Sequence, residues 1–290
     1  MKQFFKLSFI LALTALALPA CKTEDPIVLD TPAPRPIPTD PTDLKVYELE
    51  GKYRSKFIYK WDRRYFGNDV VIAPPNYDNV LYYLDFLEKI WAIPYDMQVD
   101  NFMLKNMPKE VVLVGTTMKY ESGDEVGFNA AGLAISSSRI ILTDLNNFKP
   151  TDKVWLINSG MSWMKEQAKT MHHEFAHVLD KLYGRPKGFD NVSKGLYAGS
   201  SRFDQYSLAE ANSRGFWIPY GMSNEAEDFA TMVEGILSMQ KADYLATIKG
   251  NALLEKKYAM VYDYYKALGI DIHILQVNVD QAITGYHIGN

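Results

Sequence analysis

Three of the chain's five histidines fall within six residues, His172-His173-Glu174-Phe175-Ala176-His177, and the stretch around them constrains the fold more than any other. From Trp163 to Leu182, apolar residues recur at helical spacing as Met164, Ala168, Met171, Phe175, Val178 and Leu182. That pattern predicts a helix with one buried stripe, closed by Gly184 and Pro186. At about 100° per residue, His173 and His177 lie some 40° apart, one turn removed, on the face opposite the stripe. Two imidazoles so placed reach one metal ion from the same side. His172 cannot share in this, because Ala176 stands four residues on. Glu174 projects about 100° away from His173, placed to meet a water rather than the metal.

His173-Glu174-x-x-His177 is the HExxH spacing, in which two histidines hold zinc and the glutamate acts as base. A catalytic zinc takes three protein ligands and leaves one position for water, so a third ligand is needed. His273 lies between Ile272 and Ile274 and reads as a packed histidine. His287 sits three residues from the end, where chains fray. A third histidine six residues after His177 would fit another zinc pattern, but Tyr183 occupies that position. The remaining option is a carboxylate on a later helix, and Pro219–Ala230 is the best region. Ser223 or Asn224 can cap a helix whose apolar face is Ala226, Phe229, Ala230, Val233 and Leu237. On the residues alone, Glu227 could equally be a first-turn acid favoured by the helix dipole, like Glu225 and Asp228. Asp180, one turn beyond His177, reads as a solvated acid, with a hydrogen bond to an imidazole as the alternative.

The run Tyr220-Gly221-x-x-Asn224-Glu225-Ala226-Glu227-x-Phe229-Ala230, after a His-Glu-Phe-x-His-x-x-Asp helix, resembles the catalytic domain of anthrax lethal factor and related gluzincin peptidases. It also resembles the zinc-binding metallopeptidases found as lipoproteins in Bacteroidetes. The resemblance spans Trp163–Glu234. It implies an α+β, zincin-like domain with a small mixed sheet, an active-site helix and a mainly helical C-terminal part. It implies zinc held by His173, His177 and Glu227, with Glu174 as general base and Tyr220 assisting at the scissile carbonyl. Thr231 departs from the pattern, which has an acid four residues after the ligand glutamate. In zincin folds the strand before the active-site helix is often a free sheet edge that pairs with substrate, and Arg139–Leu145 is the candidate here. The cleft is expected between the His173 helix and the loop 184–206.

The N-terminus carries a second signal. Lys2 and Lys6 precede an apolar run, Leu7–Leu18, too short to span a bilayer. Leu18-Pro19-Ala20-Cys21 then resembles the lipobox of bacterial lipoproteins, which makes Cys21 the lipidation site after removal of residues 1–20. The formal charge is −4, and it becomes −6 once Lys2 and Lys6 are removed. Lys22-Thr23-Glu24-Asp25 resembles a surface-export signal, so an outer-membrane, surface-exposed lipoprotein is expected. As the only cysteine, Cys21 excludes an intrachain disulfide or a cysteine metal cluster. Six of fourteen prolines lie between Pro26 and Pro41. Residues 21–43 therefore read as an extended tether, about 3.1 Å per residue.

Residues 44–290 read as one domain. Apolar periodicity predicts a helix over 79–93, with Val80, Leu84, Leu87 and Trp91 in its stripe. Strands are expected over 111–115 and 139–145, and helices over 225–240, 253–268 and 271–283. The expected partners are a protein or peptide substrate and, through Cys21, a membrane. A mildly acidic chain without a Lys/Arg run argues against nucleic acid. The rival reading is a non-catalytic surface lipoprotein that binds protein or glycan, with a structural zinc or none.

Overall fold

In the computed structural model, which describes residues 35–66, 70–120 and 132–289, β1 is Lys56–Ile58, β2 Val70–Val71, β3 Glu110–Leu113, β4 Lys119–Tyr120, β5 Gly132–Ser136 and β6 Arg139–Leu142. The signal segment, Cys21 and the tether up to residue 34 lie outside the described residues. The main sheet has the order β1-β3-β6-β5, while β2 and β4 pair by themselves. β1, β3 and β6 run parallel and β5 is antiparallel to β6. The period of two sorts the side chains. Val111, Leu113, Ile140 and Leu142 face the main core, while Val112 and Ile141 face a smaller cluster with Val70, Val114 and Met118.

The strand expected to be the free edge is instead interior. β6 is paired on both sides, and the edge next to the histidine helix is β5. A strand's pairing partners are non-local, and nothing in residues 139–145 themselves distinguishes an interior from an edge strand.

Helices α1 (Pro41–Tyr53), α2 (from Tyr77 to Asp96) and α3 (Phe102–Asn106) pack on one another, and α1 also packs on β1. Asp40 caps α1 by accepting from the Thr42 and Asp43 amides. Pro41 at the first helical position loses no bond there, so the last residues of the proline-rich stretch are helical. α2 runs as Tyr77–Leu87, a π turn Glu88–Ala92 and Ile93–Asp96. The wide turn ends two residues before Pro94, whose ring and missing N–H disrupt regular α-helical bonding. Val80, Leu84, Leu87 and Trp91 are all fully buried, as their spacing predicts.

α4 is the long histidine helix: Lys153–Trp155, a π turn Leu156–Gly160, then Met161–Tyr183. α5 (Leu208–Ser213), α6 (Glu225–Ser238), α7 (Lys241–Ile248), α8 (Ala252–Ala267) and α9 (Ile272–Gly289) complete a mainly helical C-terminal half. The α4 stripe is buried from Met164 through Val178, but Leu182 is 45% exposed, because the last turn runs past the core. Phe175 anchors the stripe edge-on to Trp91 at 5.4 Å and Tyr95 at 5.2 Å. Among the described residues no helix is long and apolar enough to cross a membrane.

Phe175→Ala is expected to cost about 3–5 kcal/mol by removing this anchor. Leu182→Ala, at an exposed site, should stay within about 0.5 kcal/mol. Urea unfolding of the two variants measures the difference.

Candidate metal centre

α4 and α6 pack against each other and bring together the residues that the sequence singles out. Asn224 starts α6 by accepting from the Ala226 and Glu227 amides. This cap places Glu227 in the first turn, opposite the imidazoles. His173 Nε2 lies 3.1 Å and His177 Nε2 3.2 Å from the same oxygen, Glu227 Oε2. Ligand atoms of these three residues all lie within 4.8 Å of one another. Tetrahedral zinc with bonds of about 2.0–2.2 Å needs ligand atoms roughly 3.3 Å apart. The donor set, two imidazoles and a carboxylate, suits zinc as well.

The electrostatics fit a cation at this point. Burial alone would lower the pKa of His173, but the Glu227 and Glu234 carboxylates on either side push it up to about 10. Burial likewise opposes ionisation of Glu227, yet its bonds to the two imidazoles bring its pKa down to about 2. Negative charge is therefore held in the site with positive charge between.

Glu174 stands apart from this trio. Its Oε2 accepts from the Ala134 amide on the β5 edge at 2.6 Å, and burial raises its pKa. β5 comes this close because residue 132 is glycine. A Cβ there would sit 2.6 Å from Thr170 Cγ2 and 2.9 Å from Glu174 Cγ. The Tyr220 ring stacks on His173 with centroids 6.0 Å apart. Its phenol pKa is raised by burial and by the nearby carboxylates of Glu227 and Glu174.

The support for the imidazoles differs from both sequence expectations. Asp180 pairs with Arg185, so it is neither a solvated acid nor a partner of an imidazole. The carboxylate that orients His173 is Glu234, whose Oε2 accepts from Nδ1 at 3.1 Å. Glu234 lies seven residues, two turns, after Glu227 on the same face of α6, and that spacing was the available signal. Thr231, where the related pattern has an acid, turns its hydroxyl to the Asp228 carbonyl. His273 packs against the Tyr258 hydroxyl at 2.8 Å, and Tyr183 bonds to Asn106. His273 and His287 lie outside the metal-binding group. His172 is buried on the other flank, and desolvation lowers its pKa to about 4.

A second feature of α6 had no local signal. Asp228 and Lys257 of α8 form a fully buried ion pair at 2.6 Å. Tyr197 donates to the same Asp228 oxygen, and Lys257 also donates to the Gly215 carbonyl. Burial raises the Asp228 pKa to about 6 and lowers that of Lys257.

The family model described as "Putative zinc-binding metallo-peptidase" matches residues 46–273. The chain belongs to this family. A crystal structure described as a "putative zinc-binding metallo-peptidase" from Bacteroides caccae has the same fold, with a TM-score of 0.64 and 22% sequence identity, covering 85% of this chain and 92% of that one. Among curated proteins nothing matches the chain. The family match reaches well upstream of Trp163, where the sequence resemblance begins. It takes in α2, the sheet and the metal centre together.

Glu234→Gln is expected to weaken zinc affinity by about 10–100-fold, the usual cost of losing an imidazole's carboxylate partner. Asp180→Asn should leave it unchanged. Competition with a zinc-responsive chelator compares the two.

Proposed function

We propose that the protein is a zinc-dependent peptidase of the HExxH, gluzincin type that hydrolyses peptide bonds. The observation that carries this reading is the separation of roles within one site. Three ligand atoms converge on a single point, while the Glu174 carboxylate is held beside them by the β5 edge. Zinc bound by His173, His177 and Glu227 would supply Lewis acidity, lowering the pKa of a water and polarising the scissile carbonyl.

Glu174, desolvated and fixed by the Ala134 amide, takes a proton from the attacking water and later delivers it to the leaving amine. Tyr220 donates a hydrogen bond to the oxyanion that develops at the carbonyl. Glu234 holds His173 with Nε2 directed at the centre. We further propose that Cys21 is lipidated and ties the domain to the outer membrane, with the cell surface as its place of action.

Two substitutions separate base from ligand. Glu174→Gln should retain about one zinc per chain, while cleavage of a peptide library falls by roughly 10²–10⁴. Glu227→Ala should lose metal first, and activity with it, since two imidazoles alone hold zinc weakly. Zinc content together with library digestion, run with a chelator control, checks both. A Glu174→Gln variant as active as the parent would remove the proposed mechanism.

The anchor has a separate test. Cys21→Ser is expected to move the protein from the membrane to the soluble fraction on cell fractionation. Partition identical to that of the parent would refute lipidation at Cys21.

A further inference from the structure

Tyr220 has a pinned backbone and a ring that must be held separately. Its carbonyl accepts from both the amide and the hydroxyl of Ser223, at 3.0 and 2.7 Å. The ring still turns about its side-chain bonds, and the residue is only half-buried. His173 is one neighbour of the ring. A second is Phe203, edge-on with centroids 5.2 Å apart and planes at 73°. No step proposed above uses Phe203.

Phe203 belongs to the loop 184–206 but is carried by the turn that bears Tyr220. The Ala198 and Gly199 amides both donate to the Met222 carbonyl, at 2.9 and 3.2 Å. The Arg202 amide then donates to the Gly199 carbonyl at 3.1 Å, and its Nε to the Ala198 carbonyl at 3.2 Å. Residues 198–202 are therefore a closed turn hung on residue 222, and Phe203 follows directly. Both rings are referred to the same short turn, Pro219–Met222, so their separation is set locally. An edge-on aromatic contact favours one mutual orientation of the rings. A donor to a developing oxyanion is effective when it is already oriented before charge appears.

We propose that Phe203 is a positioning residue for Tyr220, holding the ring beside His173 so that the phenol hydroxyl meets the oxyanion. This rests on the peptidase reading above. Phe203 acts on the ring, so its effect reaches the reaction only through the Tyr220 hydroxyl. Phe203 also packs with Ala198, Ala211, Phe216 and Met222, and the test has to separate that packing from positioning.

A double-mutant cycle does so, run on the zinc-loaded full chain with a peptide that the parent cleaves. Phe203→Ala is expected to lower kcat about tenfold, or 1.4 kcal/mol. KM should stay within about twofold, as for an interaction made only in the transition state. Tyr220→Phe removes the hydroxyl, so adding Phe203→Ala to it should change kcat less than about twofold. A role in loop packing or in substrate binding would cost the same in both backgrounds. Phe203→Tyr keeps the ring and should recover most of the lost rate. Phe203→Leu keeps apolar bulk without the ring and should fall as Phe203→Ala does, which decides the matter if the alanine variant does not fold. Zinc content should equal the parent's throughout. Without metal, nitration of Tyr220 by tetranitromethane, located by mass spectrometry, should be faster in Phe203→Ala than in the parent. The proposal is overturned by unchanged kcat in the alanine and leucine variants, by an equal loss in the Tyr220→Phe background, by a rise in KM at constant kcat, by loss of zinc, or by nitration no faster than in the parent. A zinc-loaded parent that cleaves no library peptide overturns the peptidase reading and this proposal with it. Zinc-dependent cleavage indifferent to residue 203 overturns this proposal alone.

Discussion

One oxygen, Glu227 Oε2, lies within about hydrogen-bond distance of two imidazole nitrogens that sit one turn apart on another helix. Everything else in the centre depends on that contact. It needs α6 at a fixed distance from α4 and at a fixed rotation about its own axis. A rotation of one residue, about 100°, would present Asp228 or Ala226 in its place. The buried Asp228–Lys257 pair holds that rotation. A buried ion pair contributes little net stability, because desolvation offsets most of the attraction. Its geometry is nevertheless strict. Asp228 is tied to α8 through Lys257 and to the preceding loop through Tyr197, so Glu227, its neighbour in the chain, can point only toward the histidines.

The other side of the site is governed by β5. An edge strand exposes unpaired amides and carbonyls, which is a hazard in most proteins. Here α4 uses both groups of Ala134: Glu174 accepts from its amide and Lys181 donates to its carbonyl. The strand is thereby fastened to the helix that carries the metal ligands, and the glycine at 132 lets the two approach.

How much of this was legible in the sequence follows the range of the interactions. α4, α2 and α6 were readable because their stripes and caps are local, from Met164–Phe175 to the Asn224 cap. The pairing of two histidines with a carboxylate on α6 was legible through the Tyr220–Ala230 run. The strand order was not, since register and neighbours are decided by residues far apart in the chain. α1 was hidden by Pro41, which ends helices in their interior but starts them at the first position. Lys257 was invisible as a partner of Asp228 because 29 positions separate them in the chain and nothing in its own segment marks it. Glu234 was visible only as a second acid at two-turn spacing, and the departure at Thr231 drew attention elsewhere.

That departure has a packing reason. The turn Pro219–Met222 carries Tyr220 and lies directly on α6, so closely that a Cβ on Gly221 would come within 2.7 Å of Thr231 Oγ1. Position 231 therefore faces the turn that sets the tyrosine ring against His173. A carboxylate there would be longer than threonine and would need its own partners in a fully buried place. Threonine instead satisfies its hydroxyl on the α6 backbone at Asp228, which lets the turn close. The acid that His173 needs then has to come from elsewhere on the same face of α6. Three residues further on, Glu234 reaches Nδ1 without crossing the turn. The imidazole thus keeps a carboxylate on Nδ1, from Glu234, and the Tyr220 ring against its face.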